Sequence, residues 1–148
     1  MRTIEELVYS IGKKEVEPIK EDLKHLYERE LFEKQIYTNQ ARLLVGDIIG
    51  VVNHLAEEEE KHSFLIRTPL SNAGISSPSF LSDVPSPTNS SSISDWLKYD
   101  IEQEKITTDA YSLASEKAPS KTKKVLEHIM SEELVHINIL QDHLKGYE

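Results

Sequence analysis

Two short stretches decide the reading of this chain: Glu59-Glu60-Lys61-His62 and, 74 residues later, Glu133-Leu134-Val135-His136. Each is a Glu-x-x-His, and positions i and i+3 share one face of an α-helix. Each also lies within a run of helical period. Ile48, Val52, Leu55, Glu59, His62 and Ile66 form one stripe, and Leu126, Ile129, Glu133, His136 and Leu140 form another. A carboxylate on the apolar stripe of a helix costs several kcal/mol unless something compensates its charge.

Two further stripes carry glutamates in the same way. The first is Leu23, Leu26, Glu30, Tyr37, Ala41 and Leu44; the second is Leu97, Ile101, Glu104, Thr108 and Tyr111. An offset of 74 maps Glu30, Tyr37, Glu59 and His62 onto Glu104, Tyr111, Glu133 and His136. His54/His128 and Glu58/Glu132 obey it too, as do the apolar pairs Leu23/Leu97, Val52/Leu126, Leu55/Ile129 and Ile66/Leu140. The halves read as one helix pair used twice about a pseudo-twofold axis, on which a site would receive matching groups from each half. One Glu from each of two helices, with a Glu-x-x-His from each of the others, is the ligand pattern of dinuclear carboxylate bundles. Four carboxylates balance two divalent ions, and ligands so rich in oxygen suit iron, or manganese, over copper.

Punctuation between the stripes sets the expected architecture. Thr3-Ile4-Glu5-Glu6 reads as a capping box opening a short helix that ends near Gly12, within an N-terminal extension of residues 1–16. Glu17-Pro18 starts the first long helix, with Pro in its first turn. Gly46-Asp47 marks a turn with Asp47 as N-cap, Ser94-Asp95 caps the third helix, Pro119-Ser120 restarts the chain and Gly146 stops it. Residues 67–94 are rich in Ser and Pro and lack helical period. Extended chain at about 3.3 Å per residue lets that segment run the length of a helix. The expectation is an all-α, up-down four-helix bundle, one domain over 1–148, with a long crossover between its second and third helices and a short N-terminal helix.

Composition narrows the function. A net charge of −9 argues against nucleic acid, which needs a Lys/Arg excess. The chain has no cysteine, which removes disulfides, Cys-ligated zinc and thiol redox chemistry. No stretch approaches the roughly 18 uninterrupted apolar residues of a membrane span, and Met1-Arg2-Thr3-Ile4-Glu5-Glu6 lacks a signal pattern. A cytoplasmic protein with no membrane partner is expected.

On these residues the chain resembles the ferritin-like superfamily of di-iron carboxylate proteins, nearest to bacterioferritins and rubrerythrin-type bundles. Glu30-Leu-Phe-Glu-Lys-Gln-Ile-Tyr37 is similar to their first-helix pattern, the two Glu-x-x-His motifs to their second and fourth helices, and Glu104 with Tyr111 to their third. The resemblance covers roughly residues 17–145. It implies two iron ions bridged by Glu59 and Glu133, with Glu30 and Glu104 as terminal ligands and one histidine, His62 or His136, on each. Side chains lean toward the helix N-terminus, and a crossover makes the first and third helices antiparallel. Tyr37 is therefore expected to reach Glu104, and Tyr111 to reach Glu30, where they would orient the carboxylates and supply an electron. His54 and His128 are expected behind the ligands or at the surface, and His25 and His143 at the surface.

The departures matter as well. Bacterioferritins hold haem through a Met just after the first bridging Glu; here Glu60 stands there, so no haem is expected. The extra third-helix carboxylate of rubrerythrins has no counterpart in Lys105-Ile-Thr-Thr108, and neither their iron–sulfur domain nor the short fifth helix of cage-forming ferritins is matched. The resemblance implies a homo-oligomeric oxidoreductase that uses O₂ or H₂O₂ to oxidise Fe(II). The alternatives are a rubrerythrin-like peroxidase with an external electron donor, an iron-storage subunit, an O₂-dependent hydroxylase and a bundle that uses metal only for structure.

Overall fold

The computed structural model describes residues 3–79, 83–88 and 91–147. Its helices are α1 (Ile4–Tyr9), α2 (Lys13–Val16), α3 (Lys20–Leu43), α4 (Ile48–Asn72), α5 (Ile93–Lys117) and α6 (Ser120–Lys145), with a 3₁₀ turn at Glu17–Ile19. No strand occurs among the described residues. The four long helices form the four-helix bundle expected from the stripes. Helices α3 and α4 pack as one hairpin and α5 and α6 as another, with α3 against α5 and α4 against α6. No helix among the described residues is long and apolar enough to cross a membrane.

The core is two apolar plugs with a polar layer between them. One plug gathers Leu23 and Leu26 of α3, Leu65, Ile66 and Leu70 of α4, Tyr111 and Ala114 of α5, and Val125, Leu126 and Ile129 of α6. The other gathers Ile36, Tyr37, Val52, Leu55, Leu97, Ile101, Ile137 and Leu140. The glutamates and histidines of the four stripes lie on the turns between. Helical period thus interrupts the apolar core at the same height in every helix.

The N-terminal segment closes one end of the bundle. Thr3 caps α1 as expected: its hydroxyl accepts from Glu6 N at 3.1 Å, and Thr3 N donates to Glu6 Oε2 at 3.3 Å. Val8, Ile11, Val16 and Ile19 are buried in the first plug. Asn72 Nδ2 donates to the Ile11 carbonyl at 3.0 Å, and Thr122 Oγ1 to the Glu15 carbonyl at 2.6 Å. Pro18 sits in the 3₁₀ turn, so α3 proper begins at Lys20 rather than at Glu17.

Other boundaries depart from the sequence reading. Helix α4 runs to Asn72, through Pro69, so the connection begins at residue 73 rather than 67. Burial explains this: Ile66, Pro69 and Leu70 are all inside, and packing outweighs the hydrogen bond that proline removes. Asp47 precedes α4 but its side chain makes no capping bond; its backbone is already helical. The N-cap of α5 is Ser92, not Ser94, and accepts from Asp95 N at 3.3 Å. The crossover begins at Gly74, whose φ of +75° suits a residue without Cβ. Within the described parts of the connection, Ile75 packs on the first plug and Val84 on the second. Asn39 Nδ2 donates to the Pro85 carbonyl at 3.4 Å.

Candidate metal centre

The six residues picked out by the two motifs and two further stripes meet in the polar layer. Glu30, Glu59, His62, Glu104 and Glu133 are wholly buried and His136 is 2% exposed. They form two overlapping sets, Glu30–Glu59–His62–Glu133 and Glu59–Glu104–Glu133–His136. Within each set the potential ligand atoms all lie within 4.8 Å of one another. Glu59 and Glu133 belong to both.

The histidines face the carboxylates crosswise. His62 Nδ1 stands 2.5 Å from Glu133 Oε1, 3.4 Å from Glu59 Oε1 and 3.5 Å from Glu30 Oε2. His136 Nδ1 stands 3.1 Å from Glu59 Oε1, 3.6 Å from Glu104 Oε1 and 3.8 Å from Glu133 Oε2. Each imidazole thus lies nearest the glutamate of the other Glu-x-x-His. The two rings are stacked, with centroids 5.7 Å apart. Both oxygens of Glu59 and Glu133, Oε2 of Glu30 and Glu104, and Nδ1 of both histidines lack a hydrogen-bond partner. Buried polar atoms are rarely left so. A ring of unpartnered oxygen and nitrogen donors turned toward one centre fits a pair of cations.

Electrostatics show the same strain. Burial, then the Glu30 charge, pushes the Glu59 carboxyl well above its usual range; burial, then Glu104, does the same to Glu133. Burial also acts upward on Glu104, but the neighbouring Glu133 and His136 and the Tyr37 hydroxyl outweigh it and hold that group below its usual value. Burial lowers His62, yet Glu30 and the surrounding carboxylates raise it overall.

Both tyrosines lie where antiparallel helices were expected to put them. Tyr37 Oη donates to Glu104 Oε1, and Tyr111 Oη to Glu30 Oε1, each at 2.6 Å. Burial and the adjacent carboxylates keep both phenols protonated well above their ordinary range. Each bond occupies one oxygen of its glutamate and leaves the buried Oε2 without a hydrogen-bond partner.

Several neighbours escaped the sequence reading. His62 Nε2 meets Glu132 Oε1 at 3.0 Å, and His128 Nε2 meets the same oxygen at 3.2 Å. The His62 bond holds Glu132 below the usual carboxylate value. His128 thus meets His62 through Glu132, outside the six clustered residues. His54 lies 3.6 Å from Glu58 and is exposed, as is His25, whereas His143 is half-buried. Glu132 and His128 line an open groove of about 510 Å³, shared with Glu58 and Lys61. Thr107 rather than Thr108 faces inward; Thr108 bonds its own helix through the Glu104 carbonyl. Glu33 is buried and bonded to Thr107, and one turn beyond Tyr37 Gln40 Nε2 donates to Asp100 Oδ1 at 2.5 Å. Spacing offered a clue to Glu33, three residues past Glu30, but it has no match at the 74-residue offset. Glu60 is exposed and paired with Lys34 at 2.6 Å.

Neither a family model nor a curated protein matches the sequence. Among solved structures the chain is similar to a dodecameric thioferritin of Bacteroides fragilis, described as bacterioferritin-related. The TM-score is 0.73 over 97% of this chain and 87% of that one, at 20% identity. At that identity the likeness carries the fold, and the fold is ferritin-like.

Proposed function

We propose that this chain is a di-iron oxidoreductase of ferroxidase type, oxidising Fe(II) with O₂ or H₂O₂. One observation carries the reading: two overlapping sets of buried, unpartnered Glu and His atoms that share Glu59 and Glu133. Glu59 and Glu133 would bridge two ions, Glu30 and His62 completing one position and Glu104 and His136 the other. Bound there, two Fe(II) ions supply the pair of electrons that the oxidant takes up. Carboxylate oxygen with one imidazole per ion suits iron or manganese.

The remaining chemistry belongs to the protein. Tyr37 and Tyr111 fix the two terminal carboxylates, so each presents a single oxygen in a set orientation. Supply of an electron by either phenol is a further task consistent with that contact. Glu132, by accepting from His62 Nε2, keeps the proton there and leaves the Nδ1 lone pair free for metal. The apolar plugs on either side exclude water from the layer.

The test is anaerobic loading with two Fe(II) per chain, followed by O₂ or H₂O₂ in separate runs. A diferric absorbance band that rises with oxidant consumption supports the reading; its absence with both oxidants overturns it. Iron storage is a second reading, prompted by the dodecameric assembly of the structurally similar thioferritin. Light scattering separates the two: storage needs a closed hollow assembly that retains many iron atoms per chain.

A further inference from the structure

Glu33 is a fifth carboxylate in the buried layer, one turn beyond Glu30 and only 1% exposed. Its two oxygens are treated differently. Oε1 accepts from Thr107 Oγ1 at 2.5 Å and lies 3.5 Å from Arg29 Nη2. Arg29 is itself fixed, with Nε donating to Thr107 Oγ1 at 3.0 Å and Nη2 to Gln103 O at 3.2 Å and Oε1 at 2.9 Å. This clamp leaves Oε2 buried with no donor. Its partner Thr107 lies one turn beyond Glu104 on α5, which sets Glu33 beside that glutamate; burial, then the Glu104 charge, pushes the Glu33 carboxyl well above its usual range.

The clamp is also where the two halves of the chain touch. Arg29 and Gln103 are 74 residues apart, and so are Glu33 and Thr107. Each residue therefore bonds its own counterpart in the repeat, and at both places the counterparts differ. Two hydroxyls facing each other would have kept the centre symmetric. A Glu facing a Thr delivers one carboxylate from one side only.

We propose that Glu33 is a ligand of the metal position built by Glu104 and His136, which makes the two positions unequal. This rests on the dinuclear reading above. Charge balance agrees with it: five carboxylates carry −5, and two divalent ions with the Arg29 guanidinium carry +5. The position that Glu33 serves holds its ion more tightly and fills first.

Calorimetric titration of the chelator-treated, full-length protein with anaerobic Fe(II) tests this, together with ⁵⁷Fe Mössbauer spectra at one and two equivalents. The wild type is expected to bind in two unequal steps and to show two distinct doublets, one of them predominant at one equivalent. Glu33→Gln keeps an acceptor for Thr107 and removes the charge. It should weaken the first step about tenfold or more while the second changes little, and the doublets should converge. Equal steps with a single doublet in the wild type overturn the proposal without need of a variant. So does a Glu33→Gln protein, helical by circular dichroism, that keeps both wild-type affinities. A wild type that takes up no iron removes the dinuclear reading itself, a distinguishable result.

Discussion

Tyr111 on α5 donates its hydroxyl to Glu30 on α3 across 2.6 Å, and neither residue has any exposed surface. With the matching Tyr37–Glu104 bond, it ties the first hairpin to the second at the height of the buried Glu/His layer. Tyr111→Phe deletes one oxygen and leaves Glu30 Oε1 without its donor. The expected loss is about 1–3 kcal/mol of stability in the apoprotein and about tenfold or more in metal affinity. Thermal denaturation and Co(II) titration read the two effects separately. An unchanged affinity would show that the phenol does not orient the carboxylate.

Removing a bridging carboxylate should move stability in opposite directions with and without metal. Glu133→Gln relieves repulsion among buried carboxylates, so the metal-free variant should melt higher than the wild type. Adding Fe(II) or Co(II) should raise the melting temperature of the wild type and scarcely move that of the variant. If metal stabilises both proteins equally, Glu133 is not a ligand.

The pH dependence of the apoprotein follows from the direction of its shifts. Glu33, Glu59 and Glu133 are all raised above the ordinary Glu value of 4.5. Groups raised on folding contribute stability that is complete below the unfolded value and lost as pH climbs through the folded one. His62, raised above 6.5, extends the same trend upward. Glu104 and Glu132 are lowered, so their opposing contributions disappear only as pH falls below the ordinary Glu range. Chelator-treated protein should therefore lose stability steadily as pH climbs above the ordinary Glu value of 4.5. Metal affinity should rise over the same interval, because binding displaces protons. Melting curves in EDTA and in excess Co(II) should thus slope in opposite directions.

Glu132 is partly exposed and offers a milder perturbation. Glu132→Ala removes the acceptor that fixes the His62 tautomer, and affinity at the His62 position should fall by about tenfold. The imidazole NMR resonances of the apoprotein, taken at a pH above the raised titration of His62, should then show a mixture of tautomers. Retention of a single tautomer would assign the orientation of His62 to packing alone.

Val8 tests whether the N-terminal helix belongs to the core. It is wholly buried against the plug that Leu70 and Leu126 share. Val8→Ala should cost about 1–3 kcal/mol in denaturant unfolding, with metal stoichiometry unchanged. A change under a few tenths of a kcal/mol would mean that the segment rests on the bundle without stabilising it.

Most of the fold could be read before any coordinates, because its signals are local. Helical period placed Glu59 beside His62 and Glu133 beside His136 on single faces, and the 74-residue repeat related the two pairs. The same geometry paired Tyr37 with Glu104 and Tyr111 with Glu30, since antiparallel helices and the lean of side chains leave few other partners. Where local signals misled, packing had overruled them. Pro69 stays helical because Ile66 and Leu70 are buried around it, and Thr107 takes the inward position expected of Thr108.

The sequence by itself determined which glutamates and histidines lie on the helical stripes, their spacing and the four-helix frame, all consequences of the chain's own period. Tertiary structure alone decided which residues 74 apart would touch. The axial register and rotation of α3 against α5 are set by the sum of many contacts, and no local pattern encodes them. That register brings Glu33 onto Thr107 and Arg29 onto Gln103, and at those two points the repeat is broken. Glu33 faces a threonine at the repeat offset, so the internal repeat carries no sign of it.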